Sequence, residues 1–342
     1  MAFNVVSQRT VDVDEAGMRL DRWFKTHFPG VGFGELQKLL RSGQVRVDGG
    51  RVKSASRLEA GQVVRIPPLS SEKSDTPRHI TANTIRDRRD ADVLRDILLY
   101  EDKKVLVFNK PAGLAVQGGS GINRSVDSML ESLRDPSGQK PRLVHRLDRD
   151  TSGVLMVART RGAAAALTAS FRHRDTDKTY WALLAGVPGK PKGRISTYLV
   201  KEKTEEGDKM RVARHGEKGA DHSISTYRLI DNGPRRVSWV EMKPETGRTH
   251  QLRVHAAHIG HAIVGDPKYF DIENWEMPGG LQKRLHLHAR RLRIPHPDPS
   301  QPMIDVSAPL PPHMQQTWNL LGFDEADGVE EETLELTRRR KS

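Results

Sequence analysis

The sequence predicts a mixed α/β (α+β) protein in two parts, a small helix–helix–hairpin module in front of a larger domain. Three observations carry this. The 342-residue length suits two cores better than one. Patterned sequence gives way to a Pro- and Ser-rich stretch near Pro67. Beyond it, short apolar runs of strand length surround one alanine-rich helical stretch. An apolar content of 36% is enough for a large core, and the absence of cysteine removes disulfides, zinc–thiolate sites and thiol catalysis together. No apolar run approaches the roughly 18 residues of a membrane span. The start, MAFNVVSQRTVDVDEAG, has no apolar leader core. A cytoplasmic protein with no membrane partner is expected.

The elements follow in order. Leu20, Trp23, Phe24 and Phe28 keep the rhythm of an amphipathic helix, with Arg22 and Lys25 on the wet face. A second helix, roughly 34 to 41, turns Leu36, Leu39 and Leu40 inward and ends at Gly43. Val45 and Val47 alternate with Arg46 and Asp48, and Asp48-Gly49-Gly50 predicts a turn into Arg51-Val52. These elements make up a module over 16–67. Residues 68–89 read as a linker, and 90–322 as the second domain. Within it, Ile97 to Tyr100 and Val105 to Phe108 suggest a hairpin. Val154–Ala158, Tyr180–Leu184, Ser223–Ile230 and Val237–Met242 suggest strands, while Gly162–Phe171 and His250–His258 suggest helices. Residues 323–342, acidic and then basic, read as a disordered tail.

Charge points to a polyanionic partner. The chain carries 56 Lys plus Arg against 44 Asp plus Glu. Between Ala16 and Pro67 the count is ten basic to four acidic, and the acidic tail hides a still more basic body. Lys38, Arg41 and Arg46, on the second helix and the hairpin, are the candidate RNA contacts of the front module. RLDRWFK, ELQKLLRSGQVRVDGGRV and LEAGQVVRIP resemble the small RNA-binding domain first described in the fourth small-subunit ribosomal protein. That resemblance implies RNA binding through the same helix and hairpin.

In the second domain, Val144 to Gly153 is a polar loop feeding a buried strand, a usual seat for a catalytic carboxylate. On residues alone a structural turn is the better explanation. The segment HRLDRDTSG, however, resembles the signature of the RluA-type pseudouridine synthases. NKPAGLAV from Asn109, Lys178-Thr179-Tyr180, GRTHQLRVH from Gly247 and Leu287-His288-Ala289 resemble further motifs of that family, in its order. The resemblance implies a catalytic domain with a mixed, mainly antiparallel sheet and a central cleft. It also implies isomerisation of uridine in RNA without cofactor or metal, most closely the RluC-like enzymes of large-subunit (23S) rRNA, free or in an assembling particle.

By the same resemblance Asp148 is the essential carboxylate, acting on the ribose as nucleophile or as base. Either role needs it ionised, and Arg253 is the cation expected to pair with it. Tyr180 is the residue expected to stack on the uracil and to share in removing the proton from carbon 5. Arg146 is expected to fill the place of the flipped base, a step that costs a few kcal/mol. Leu252 is expected against the uracil ring, and His145, Lys110 and Arg248 among the substrate contacts. A monomer is expected. Two rivals are a metal hydrolase built on His250, His255, His258, His261, Asp266 and His286, whose spacing fits poorly, and a catalytically silent RNA-binding or ribosome-assembly factor; within the family, a synthase acting on tRNA or other RNA is the alternative.

Overall fold

The computed structural model describes residues 6–28, 30–69, 80–119, 122, 124–135, 138–173, 176–204, 207–234, 237–270 and 277–329. The chain divides into two compact units, 1–86 and 87–342.

The front unit holds β1 (Ser7–Thr10), α1 (Leu20–His27), α2 (Phe33–Arg41), β2 (Arg46–Val47) and β3 (Val63–Ile66). Leu20, Trp23 and Phe24 from α1 pack on Leu36 and Leu40 from α2 and on Val47, Val64 and Ile66 from the sheet. Each such side chain contributes about 1.5–3 kcal/mol on burial. Under this core, Glu15 accepts the Trp23 indole N–H at 2.7 Å and meets His27 Nε2 at 2.5 Å. Burial would raise its carboxyl, but those bonds hold it down at about 2. Gly43 follows α2 at φ +70, as the helix end requires.

One expectation for this unit fails. β2 does not pair with Arg51-Val52; it pairs antiparallel with β3, which also carries β1, giving the order β1-β3-β2. The turn at Asp48 and Gly49 forms, but the Asp48 carboxylate then accepts the Val63 N–H at 2.7 Å and draws in the distant strand.

α3 (Ile80–Asp96) occupies much of the expected linker, 68–89, while residues 70–79 lie outside the described residues. Leu94 is fully buried, and Asp90 is held by Arg124 at 2.6 Å, so the part of the helix from Asp87 onward packs within the second unit. There follow β4 (Leu98–Glu101), β5 (Val105–Lys110), α4 (Val126–Met129), β6 (Arg142–Leu143), β7 (Ser152–Ala158), α5 (Arg161–Ser170), β8 (Asp177–Ala185), β9 (Lys192–Thr204), β10 (Gly207–Ala213), β11 (Asp221–Gly233), β12 (Val237–Pro244), α6 (Gln251–His258), β13 (Leu287–Ile294), β14 (Ile304–Ser307) and α7 (Pro312–Leu321).

The strands form an 11-stranded sheet in the order β10-β9-β11-β12-β8-β13-β7-β5-β4, with β14 on β13 and β6 on β7. Among the strands of the described residues β13–β7 is the one parallel pairing, so the sheet is mixed and mainly antiparallel. Every residue of β7 is buried, with Leu167 of α5 in the cluster on one side and Met129 of α4 in another. Trp181, Trp239, Trp318 and Phe323 make a third cluster. That cluster corrects the expected disordered tail at 323–329. Phe323 is buried in it, Gly328 lies against Trp181 and Trp239, and Glu325 pairs with Arg290 at 3.1 Å. Residues 330–342 lie outside the described residues.

Candidate active site

The loop between β6 and β7 is shaped from below by Lys110. Its ammonium, fully buried at the end of β5, donates to the carbonyls of Pro111, Leu114 and Arg149, each at 2.9 Å. Burial pushes Lys110 down to about 7, opposed by the charges of Asp150 and Asp148. This corrects the expectation that Lys110 meets substrate: it is sealed from the cleft and fixes the turn that presents Asp148. Just past that turn, Gly153 sits at φ +109, and a Cβ there would lie 2.2 Å from the Ala289 carbonyl oxygen of β13. Only glycine allows β7 and β13 to approach so closely. Ser152 donates to His288 Nδ1 at 2.9 Å, because His288 Nε2 donates to the Ala308 carbonyl at 3.2 Å.

The opposite wall is the start of α6. Gln251 braces it by accepting from the Thr246 hydroxyl and the Arg248 N–H and donating to the Ile224 carbonyl and Ser225 Oγ. His250 adopts φ +52, a conformation uncommon outside glycine. Arg253, buried on the first turns of α6, reaches Asp148 Oδ2 with Nη1 at 3.4 Å. Its stronger partner is Asp266, whose carboxylate takes Nε and Nη2 at 2.7 Å each and is itself wholly buried. Asp266 also accepts the N–H groups of Lys268 and Tyr269. Burial would lower the Arg253 guanidinium, but Asp266 and Asp148 more than offset it, so the cation is permanent.

Tyr269 adds a further constraint. Its hydroxyl accepts the Met210 N–H at 3.0 Å and shares a hydrogen bond of 2.8 Å with His250 Nδ1. His250 Nε2 lies 3.8 Å from Asp148 Oδ2.

Tyr180, on β8, faces this group. Burial, then the Asp148 charge, drives its phenol far above the ordinary value, so it stays protonated. Leu252 is buried on α6 in the same apolar cluster as Tyr180. Asp148, Tyr180, Leu252 and Arg253 line one cleft of about 730 Å³, room for a nucleoside. Arg146 is exposed at its mouth, with Nη1 3.3 Å from Gln117 Oε1. Arg248 lines the rim, tied to Asp221 at 3.2 Å.

The structure thus brings Asp148, Tyr180, Arg253, Leu252, Arg146 and Arg248 together. His145 also borders the cleft, but its Nε2 accepts the Met156 N–H at 2.9 Å and Phe171 stacks on its ring. Burial, then the Lys178 charge, pushes it down to about 3, so it is a neutral residue of the cleft wall. In the front unit Lys38 and Arg41 are exposed, whereas Arg46 is partly committed to the carbonyls of Gly43 and Gly49.

Sequence reasoning missed the roles of Asp266, Tyr269 and Lys178, although Lys178 stands within the matched Lys178-Thr179-Tyr180 motif and Asp266 among the suspected histidines. The histidines suspected of holding a metal are dispersed among hydroxyls and carbonyls. His255 meets Thr197, Ser223 and Ser225, and His286 meets Thr317 and the Arg284 carbonyl. Among the described residues no group of three or more His, Asp or Glu could hold an ion.

The family model described as RNA pseudouridylate synthase matches residues 104–258, from β5 to the end of α6. A protein of Vibrio vulnificus named ribosomal large subunit pseudouridine synthase C is 39% identical over 88% of this chain and 92% of its own length. Its namesake from Escherichia coli is 37% identical over the same shares. Among solved structures, human RNA pseudouridylate synthase domain containing 4 superposes with a TM-score of 0.58 at 27% identity, covering 71% of this chain and 98% of that one.

Proposed function

The chain belongs to the RNA pseudouridylate synthase family, and from that premise we propose that it isomerises specific uridines of large-subunit ribosomal RNA to pseudouridine. The observation that carries the reading is the Asp148 carboxylate, 3.4 Å from a buried arginine and facing Tyr180 in a nucleoside-sized cleft. The reaction breaks the N-glycosidic bond, turns the uracil and joins its carbon 5 to the anomeric carbon. Carbon 5 loses its proton and the freed ring nitrogen takes one up, so nothing is oxidised or hydrolysed.

Arg253, locked by Asp266, keeps positive charge against the Asp148 carboxylate. Asp148 opens the reaction either by attack on the anomeric carbon or by removal of a neighbouring ribose proton. Tyr180, held as a phenol, supplies its ring to the base and an O–H, so the carbon-5 proton leaves through the carboxylate or solvent rather than through a phenolate. Arg146 takes the space of the extruded base. His145 and Lys110 shape the loop.

The front module, 16–67, grips RNA through Lys38 and Arg41 ahead of a catalytic domain over 90–322, and the cleft is complete within one chain, as suits a monomer. No helix among the described residues is long and apolar enough to cross a membrane, in keeping with work in the cytoplasm on rRNA or an assembling particle.

The test is tritium release from carbon-5-labelled uridine in an unmodified large-subunit rRNA transcript. Wild type should release label, and Asp148→Ala should not, while binding RNA within a few-fold of wild type. Release by the variant would sink the assignment of Asp148. A wild type that binds and never releases would favour the silent binding factor.

A further inference from the structure

Lys178, in the cleft wall, has no part in the scheme above. Lys178 stands two residues before Tyr180 on β8, so strand alternation turns both side chains to one face, about 6.8 Å apart along the strand. Both line the cleft. Lys178 is half-buried, yet among the described residues its ammonium makes no hydrogen bond or ion pair. The neighbouring carboxylate, Asp177, alternates to the other face and meets Lys243 at 3.6 Å. His145, close enough to feel the Lys178 charge, offers no acceptor, because its Nε2 is taken by the Met156 N–H.

The two buried cations beside the catalytic loop are matched, Lys110 by three carbonyls and Arg253 by Asp266. Lys178 is not, and its partial burial is unfavourable until an anion arrives. Burial already draws its proton affinity down, with Asp177 opposing. A nucleotide extruded into this cleft carries a fixed negative group at each end of its ribose. A phosphodiester oxygen is also the partner that a lone ammonium binds most strongly.

From this juxtaposition we propose that Lys178 is a phosphate site: its ammonium binds a non-bridging oxygen of the phosphodiester flanking the flipped nucleotide and so sets the ribose between Asp148 and Tyr180. The proposal rests on the reading that the cleft takes an RNA nucleotide.

The experiment compares full-length wild type, Lys178→Met and Lys178→Arg. It measures binding of the unmodified large-subunit rRNA transcript across a salt series, tritium release, and the thermal midpoint without RNA. Lys178→Met should lower the slope of log affinity on log salt by about 0.7–0.9, the value of one lost phosphate contact. It should cut kcat/KM about tenfold or more. The RNA-free midpoint should hold or rise, since an unmatched charge has been removed. Lys178→Arg should keep the slope and most of the turnover.

An unchanged slope in Lys178→Met would overturn the proposal. So would a lower RNA-free midpoint, which would mark the lysine as a support of the fold. If the wild type released no tritium while the slope still fell in Lys178→Met, the phosphate site would stand and the isomerase reading would fail.

Discussion

Asp266→Asn tests the idea that Arg253 is held for catalysis by a residue that never meets substrate. The carboxylate accepts four N–H groups, two from Arg253 and one each from Lys268 and Tyr269, and none of it is exposed. Asparagine keeps the volume but removes the charge and one acceptor, and its amide then faces the guanidinium donor to donor. Breaking a buried ion pair from one side costs about 3–5 kcal/mol. Arg253 keeps Asp148 at 3.4 Å, so the low end, about 3 kcal/mol, is expected. That is a large share of the roughly 5–15 kcal/mol that holds a typical domain folded.

Urea unfolding followed by fluorescence of Trp181, Trp239 and Trp318 should show the midpoint fall at constant m. Turnover should fall at least tenfold with RNA affinity nearly kept, since Arg253 would be free to leave its place over Asp148. The double variant Asp266→Asn/Arg253→Met should recover much of the stability and none of the turnover, giving a coupling energy of about 2 kcal/mol or more. A loss below about 1 kcal/mol in the single variant, with no coupling, would refute this account of the pair.

Further outcomes follow from other parts of the molecule. Gly153→Ala puts a Cβ 2.2 Å from the Ala289 oxygen at φ +109, and should cost more than about 4 kcal/mol by thermal unfolding; a change under about 1 kcal/mol would contradict the close approach of β7 and β13. Burial is the leading cause that pushes His145 and His288 down to about 3 and His255 and His286 down to about 4. The unfolded chain therefore takes up protons below about pH 6.5 that the fold refuses, so stability is full above that pH and drains as pH falls toward 4, by up to about 1.4 kcal/mol per unit for each histidine. A urea midpoint that stays flat from pH 7.5 to 5 would count against this. Replacing Lys38 and Arg41 by Gln should reduce the salt slope of RNA binding by one to two contacts while leaving kcat intact, and an unaltered slope would remove α2 from the RNA grip.

What the sequence could reveal depended on how local the cause was. α1 and β7 declare themselves because their apolar spacing is set within a few residues, and α5 because it is rich in alanine. α3 was hidden: its run of Arg and Asp lacks an apolar stripe, and Leu94 and the Asp90–Arg124 pair secure it only in the folded unit. β13 looks like a surface strand in the sequence, with Arg290, Arg291 and Arg293, yet it lies mid-sheet. Arg290 covers the Trp181 ring at 4.2 Å, and Arg291 and Arg293 meet Asp305. In the site, Asp148, Tyr180 and Arg253 were legible through motif resemblance. Asp266 was legible only as a member of a histidine-rich stretch, because its bond to Arg253 bridges 13 residues with no periodicity. Lys110 was misjudged because its three carbonyl partners converge only once the Asp148 turn is folded.

The place of β13 has a consequence for when this enzyme comes into being. The Asp148 loop leads into β7 and Tyr180 rides on β8, but in the sheet these strands are neighbours only through β13, which runs between them from Leu287 to Ile294. A growing polypeptide that has passed Arg253 already owns every residue of the reaction and still lacks the wedge that sets their spacing. Long-range closure of this kind comes late in folding. Catalytic competence is therefore expected only once residues 287–294 have been made and paired, and a nascent or truncated chain stopping short of residue 287 is expected to be inert however much of its front unit has folded.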